Sequence, residues 1–492
     1  MKDIKKVLIP NRGEIACRIL RTLDTMNIPG VIIYHALDAD TPAVLMADEK
    51  VEIQGVTPVS AYLDVAQIIN ACKKTGADAV HPGFGFLAEN ADFARRIEQE
   101  GIIFIGPRPE VIEMMGNKVA ARTFCIENNF PLAPSVTQTA QDADFIKSVK
   151  QIDLPLLIKA AAGGGGKGMQ VVNEWKDLET AVQLAREEAR RSFGNSEVYA
   201  EQYVEKSRHI EVQVMADHHG NIIHLGEREC SIQRRFQKII EESPAPSLAP
   251  ELRKAICDTA VEITRKAEYR NAGTVEFILA PEGKFYFLEM NTRLQVEHPV
   301  TEMVTGVDLV ELQIGVARGE SLPLIQEQVQ ANGHAIEMRL YAEDPENDFL
   351  PATGQLLAYQ LPSGEKVRVE NGFAEGMVVS SAFDPMLAKL IVHDVDRKAA
   401  IEQGVKALKD TLILGVTTNT DYLVRILSHP SFLAGNVDTD FIPQYAEELK
   451  SPTLNKEERN MLLAATALSS REFVDPAFKV PEPHCFLGNW RN

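Results

Sequence analysis

Apolar residues change their period several times along the first 115 residues. Lys6 to Pro10 and Val31 to Tyr34 are short β-branched runs that read as strands, and Ile102 to Ile105 repeats the pattern. Between them, Ile15 to Met26 and Leu63 to Lys74 gather their apolar residues on one side of a helix. Ala79-Val80 leads into a glycine-rich turn. Strands that alternate with helices predict a parallel, doubly wound α/β domain over 1–115.

Beyond it the pattern shifts. Leu154 to Lys159 reads as a strand, a glycine loop follows, and Met169 to Val172 reads as its partner. A charged helix from Glu179 to Arg191 ends before Gly194-Asn195, and Val198 to Val204 is another strand. From His209 the runs predict antiparallel pairing: His209 to Met215, Ile222 to Glu227, Thr274 to Leu279 and Lys284 to Met290. Short β runs recur at Ala335 to Tyr341, Gln355 to Gln360, Val367 to Glu370 and Leu387 to His393. Helices are predicted at Arg397 to Thr411 and Thr420 to Leu427, then a tail over 448–492 with one helical stretch near Glu457 to Leu468.

Composition narrows the class. A chain of 492 residues holds about three or four domains. Its 70 acidic and 51 basic residues leave a net charge of −19, which argues against nucleic-acid or anionic-membrane partners. The six cysteines are scattered without metal-ligand spacing and read as buried free thiols in a reducing compartment. No apolar run approaches a membrane span or a signal segment, so a cytoplasmic location is expected.

The run Gly163 to Gly168 is too permissive to be a dinucleotide fingerprint, and no Ser or Thr follows Gly166-Lys167 as a nucleotide P-loop requires. Successive small residues still allow backbone N–H groups to close around phosphate, or form a flexible surface loop. Lys159, just before the loop, tips the balance towards phosphate, and Lys118 offers a second contact. If Glu282-Gly283 forms a two-residue turn, Pro281 faces Lys284 and Glu276 faces Glu289 on one sheet face. Ile278, Phe285 and Phe287 would share that face. Two acids so placed repel unless a cation lies between them, and with Asn291 they suit Mg²⁺. Arg293 can fork onto a planar oxyanion, Gln295 can orient a substrate, and Glu297 is a candidate base. His298 precedes a proline and reads as structural. The basic cluster Arg234 to Lys238 is either a neutralised surface run or a phosphate-facing group.

In order, these segments resemble the biotin carboxylase family of the ATP-grasp superfamily, from about residue 4 to about 447. The resemblance runs through Asn11-Arg12-Gly13-Glu14-Ile15-Ala16, His81 to Asn90, the glycine run, Arg208 to Gln213, Arg228 to Ser231 and Glu289 to Glu302. It continues through Gly333 to Glu337, Arg339 and Ala342 to Pro345. It implies an N-terminal domain over 1–115, an ATP-grasp domain over 116–330 with a lid at about 131–204, and a C-terminal β-rich domain over 331–447.

The resemblance also implies roles. Lys118, Lys159, Gly165 and Gly166 would hold ATP phosphates, while Glu201, Val204, His209 and Gln233 would line the nucleoside pocket. Glu276, Glu289 and Asn291 would carry Mg²⁺ or Mn²⁺. Arg293, Gln295 and Val296 would bind bicarbonate, Glu297 would deprotonate it, Lys238 would steady the phosphorylated intermediate, and Arg339 would stabilise the biotin enolate. The chain departs from the family pattern at Phe236, Asn117, Gln202 and Ala162, which bears on nucleotide affinity and flap behaviour rather than reaction class. No Ala-Met-Lys-Met-like biotinylation site occurs. The expected partners are therefore a separate biotin carboxyl carrier protein and a carboxyltransferase subunit, with a homodimer expected from the family and the tail a candidate docking segment. Competing readings are another ATP-grasp ligase or a nucleotide-binding regulatory subunit.

Overall fold

The strands β1 (Val7–Ile9) and β2 (Gly30–Tyr34) are buried along almost their whole length, which is why they read as continuous apolar runs rather than alternations. The computed structural model describes residues 3–137, 142–161, 169–193, 196–452 and 456–469. Together with β3 (Glu49–Glu52), β4 (Ala79–Val80) and β5 (Ile103–Phe104), these strands form a parallel sheet in the order β3-β2-β1-β4-β5. The strand order reverses between β1 and β4, so the loops that follow them share one crevice at the carboxyl edge. Asn11 fastens the two loops by donating to the carbonyls of Pro82 and Phe84, each at 2.7 Å. The helix predicted over Leu63 to Lys74 is Val65–Thr75, which starts after Asp64 because Asp64 caps it by accepting from the amide of Gln67; a separate short helix, Pro58–Tyr62, precedes it.

A smaller antiparallel sheet joins β6 (Ser135–Thr137), β7 (Leu156–Ala160), β8 (Gln170–Val172) and β9 (Val198–Gln202) in the order β6-β9-β7-β8. The helix Leu178–Phe193 supplies Leu178, Val182 and Ala185 to its core. Residues 162–168, with Gly165, Gly166 and Ala162, lie outside the described residues.

The largest sheet has eight strands. It contains β10 (Arg208–Ala216), β11 (Ile222–Arg234), β12 (Gln237–Ser243), β13 (Asn271–Leu279), β14 (Phe285–Asn291) and β15 (His334–Tyr341). The strands Met386–Asp394 and Val367–Asn371 complete the order β14-β13-β10-β11-β12-β15-(386–394)-(367–371). The sheet thus runs without a break from segments before residue 330 into segments after it. β11 extends seven residues past the predicted Glu227, to Arg234, and so takes in the family segment Arg228 to Ser231.

The β13–β14 hairpin corrects one expectation and keeps another. Its loop holds three residues, since Ala280 N donates to Lys284 O at 2.7 Å, so Ala280 rather than Pro281 faces Lys284. A bulge at Leu288 then restores the register, and Glu276 does face Glu289. Phe285 and Phe287 consequently lie on the other face from Glu276. Phe285 meets Phe277 edge-on at 5.6 Å, and both phenylalanines join the core beneath.

The described residues from Lys450 on form a second unit, in which the helix Lys456–Ser469 exposes Met461, Leu462 and Leu463. Among the described residues no helix is long and apolar enough to cross a membrane. Cys17, Cys72, Cys125, Cys230 and Cys257 are buried free thiols, while Cys485 lies outside the described residues.

Candidate active site

One face of the eight-stranded sheet, the edge of β7 and β9, and the segment after β14 enclose a cavity of about 610 Å³. Every described residue that the sequence singled out for phosphate, nucleoside, metal, bicarbonate or base chemistry lines it. These are Lys118, Lys159, Glu201, Val204, His209, Gln233, Lys238, Glu276, Glu289, Asn291, Arg293, Gln295, Val296, Glu297 and Arg339.

At its centre the ammonium of Lys238 donates to Glu211 at 2.6 Å, Glu297 at 2.7 Å and Glu276 at 3.0 Å. Burial disfavours the ammonium, but the three carboxylates outweigh it and hold Lys238 well above the usual lysine range. Burial also raises Glu297, yet Lys238, Arg339 and Arg228 dominate and hold it well below the carboxylate range. Arg339 reaches the second oxygen of Glu297 at 3.0 Å. Glu276 is gripped at both oxygens: Asn291 donates at 2.7 Å and Gln295 at 2.8 Å to one, and His209 at 2.7 Å to the other. Gln233 donates its amide N–H to His209 Nδ1 at 2.8 Å, which leaves His209 Nε2 as the donor to Glu276. Arg293 is held flat by Glu89 at 2.9 Å, Gln295 at 2.6 Å and Asn291 at 2.8 Å.

The nucleotide side is built differently. Asn117 accepts from the amides of Val119 and Ala120, each at 3.0 Å, and so caps the helix Lys118–Glu127. The amide oxygen there serves the capping role that an Asp would serve. Lys118 at the first helical position lies 3.5 Å from Glu289. Lys159 pairs with Glu201, whose other oxygen accepts from Arg122 at 3.0 Å. Burial would raise Glu201, but Lys159 and Arg122 outweigh it and lower its pKa.

The basic cluster resolves into a hairpin tip. Arg235 and Phe236 both adopt positive φ, 49° and 66°, in a two-residue turn between Arg234 and Gln237. Such turns favour Asn-Gly, so two side-chain-bearing residues here are strained. Arg234 pairs with Glu343 at 2.7 Å and Arg235 with Asp348 at 2.5 Å, while Phe236 stays 47% exposed at the cavity wall. Of this cluster, Lys238 alone enters the carboxylate nest.

Hard oxygen donors on adjacent strands, Glu276, Glu289 and Asn291, fit a cation that keeps water and phosphate ligands. Glu289 has its side chain 32% exposed towards the cavity, with Lys118 at 3.5 Å. Among the described residues, two other clusters have metal-ligand proximity, His209 with Glu211 and Glu276, and Glu211 with Cys230 and Glu297. Both are walls of the Lys238 nest, whose ammonium already neutralises them.

Sequence reasoning missed Glu211, Glu89, Arg122, Glu241 and Lys389 as parts of the site. Lys389, fully buried, donates to the carbonyl of Val296 at 2.6 Å and pairs with Glu14 at 3.0 Å. Glu14, Glu89 and Glu211 lay inside the family segments quoted above, and their acidity within apolar surroundings was the available signal. His298 is fully buried with Nδ1 2.7 Å from the Gln295 carbonyl, a structural role as expected.

Comparison with known proteins places this geometry. Three family models match in order: "Biotin carboxylase, N-terminal domain" over 3–112, "Carbamoyl-phosphate synthase L chain, ATP binding domain" over 117–325, and "Biotin carboxylase C-terminal domain" over 337–444. The chain is 47% identical to the mitochondrial methylcrotonoyl-CoA carboxylase subunit alpha of Dictyostelium discoideum, over all of this chain and 71% of that one. It is also 47% identical to a biotin carboxylase of Halalkalibacterium halodurans, over 90% of this chain and 98% of that one. It spans 61% of the corresponding Glycine max alpha subunit. Two solved structures superpose well. The biotin carboxylase domain dimer of Hydrogenobacter thermophilus 2-oxoglutarate carboxylase, with MgADP, ADP and bicarbonate, gives a TM-score of 0.90 at 40% identity, covering 92% of this chain and 100% of that one. The biotin carboxylase–β,γ-ATP complex of Campylobacter jejuni gives 0.88 at 42%, covering 90% and 99%.

Proposed function

Because this chain belongs to the biotin carboxylase family, we propose that it carries out ATP- and bicarbonate-dependent carboxylation of biotin N1′ on a carrier protein, the first half-reaction of a biotin-dependent carboxylase. The observation that carries the reading is Glu297, held between Lys238 at 2.7 Å and Arg339 at 3.0 Å on the cavity wall that also bears Arg293.

Arg293, kept planar by Glu89, Gln295 and Asn291, presents a fork to bicarbonate. Glu297 takes the bicarbonate proton. In the resting site Lys238 and Arg339 make it a weak base; an anion drawn to Lys238 competes for that ammonium and restores basicity. The freed oxygen attacks the γ-phosphorus of ATP, the bond to the β-phosphate oxygen breaks, and ADP leaves. Carboxyphosphate then decomposes to CO₂ and phosphate. The phosphate removes the N1′ proton of biotin, and N1′ bonds to CO₂ while Arg339 stabilises the enolate oxygen. Lys118, Lys159 and Lys238 neutralise phosphate charge, the main demand of phosphoryl transfer. Glu276, Glu289 and Asn291 would hold Mg²⁺ or Mn²⁺, which when bound screens the phosphate oxygens. A homodimer is the assembly we favour, supported by the dimeric Hydrogenobacter domain.

Phosphate release from MgATP, with and without bicarbonate and free biotin, tests the reading. Release should require bicarbonate and rise with biotin, and Glu297→Gln should lower it by about 10²-fold or more. Turnover indifferent to both additives would sink it.

A further inference from the structure

Behind Arg339 lies a feature that the reaction above does not use. Glu241 on β12 and Glu337 on β15 are register partners, directly opposite each other, and both are fully buried. Among the described residues no donor hydrogen-bonds to either carboxylate oxygen of Glu337, and Glu241 meets the guanidinium of Arg339. Two like charges opposite one another in a dry sheet face repel, and each also lacks the water that would solvate it.

The surrounding cations are already committed. Arg339 touches Glu241 at 2.5 Å and Glu297 at 3.0 Å. Lys389, the register partner of Arg339 on the strand Met386–Asp394, is taken by Glu14 and the Val296 carbonyl. Lys238 is shared among Glu211, Glu276 and Glu297. The helix His298–Thr305 brings His298, buried with its Nδ1 against the Gln295 carbonyl. Among the described residues no cation forms an ion pair with Glu337, and Lys389 and Arg339 act on it only from a distance.

We propose that Glu241 and Glu337 share a single proton and act as a positioning pair that keeps the guanidinium of Arg339 on Glu297. While one carboxyl is neutral, a single carboxylate draws on Arg339, and its other N–H groups stay with Glu297. When the proton leaves, the second carboxylate competes for Arg339 and pulls it from the base. The direction of both acids agrees: burial pushes Glu241 up to about 7 against the pull of Arg339, and burial pushes Glu337 well above the carboxylate range against Lys389. Stability from the shared proton is therefore full at acid pH and lost as pH rises through about 7 and beyond.

The functional part rests on the proposed biotin carboxylation. Infrared spectra test the proton independently of activity. Wild-type protein should show a carboxylic-acid C=O stretch that shifts in D₂O and fades as pH rises, and Glu337→Gln should lack it. Kinetics test positioning. Glu337→Ala should lower kcat for biotin-dependent phosphate release about tenfold with KM for ATP unchanged. Glu337→Gln, which keeps the neutral shape, should restore kcat and move the alkaline limb up by about one pH unit or more. A stretch that persists in Glu337→Gln overturns proton sharing. A lost stretch with an unmoved alkaline limb overturns positioning. Wild-type protein that turns over no ATP overturns the carboxylation reading and positioning with it, while the infrared stretch still decides the proton.

Discussion

The ammonium of Lys238 lies 2.7 Å from Oε1 of Glu297, and the same nitrogen meets Glu211 at 2.6 Å and Glu276 at 3.0 Å. One cation thus holds three carboxylates from three separate segments: β10, β13, and the turn before the helix His298–Thr305. Glu276 is in turn bonded to Asn291, Gln295 and His209. The metal-facing strand, the bicarbonate-facing turn and the base are therefore one electrostatic unit. A change at any member is felt at the others.

Removing the cation should expose that coupling. Lys238→Met leaves three buried carboxylates without their shared partner, so stability should fall by about 3–5 kcal/mol. Protonation relieves the repulsion, so the variant should regain stability as pH falls from about 8 to about 5. Denaturant melts across that range check it. A loss that does not vary with pH would mean the three acids are neutralised by other groups.

Glu289 should separate metal affinity from stability. Its side chain is 32% exposed and pairs loosely with Lys118, at 3.5 Å. Glu289→Gln should leave the melting temperature nearly unchanged while raising the Mg²⁺ concentration for half-maximal ATP cleavage on the order of tenfold. Titrating Mg²⁺ at saturating ATP and bicarbonate measures it, and an unchanged Mg²⁺ requirement would remove Glu289 from the metal set.

Outside the cavity, Glu242 gives a cleaner pH prediction. It accepts from His334 at 2.7 Å and from Arg397 at 2.6 and 3.0 Å. Burial raises it, but His334 and Arg397 outweigh burial and hold it below the usual range. A depressed carboxyl contributes stability above its unfolded pKa and loses it as pH falls through the folded one. Glu242→Gln should therefore cost about 3 kcal/mol at neutral pH, with the gap to wild type narrowing in acid. Melts at both ends of the range decide it; a gap that widens in acid would contradict the pairing.

The metal-facing pair shows how far local reasoning reaches. Strand period and a turn signal predict Glu276 opposite Glu289, and they are opposite. The route differs: a three-residue loop displaces the register by one, and the bulge at Leu288 displaces it back. The predicted neighbours Phe285 and Phe287 expose the difference, because they sit before the bulge and face the other core. Asn117, a departure from the family at sequence level, caps its helix just as an Asp does. A cap depends on a local side-chain oxygen, which either residue supplies.

The sequence by itself determined many of the strands and several helices, the parallel N-terminal and antiparallel later sheets, and the order of the chemistry-bearing motifs, while helices such as Ala91–Gln99, Pro250–Lys266 and Leu309–Arg318 went unread. Those properties follow from side-chain period, turn residues and residue type over a few neighbouring positions. Only the tertiary structure decided which charges meet. Arg122 reaches Glu201 across 79 residues, Lys389 reaches Val296 across 93, and Arg293 reaches Glu89 across 204. Glu241 and Glu337 are nearly a hundred residues apart in the chain and lie opposite each other because β12 pairs with β15. Such contacts depend on strand order and register set by burial of the whole sheet, and no local pattern encodes the partner of a buried charge.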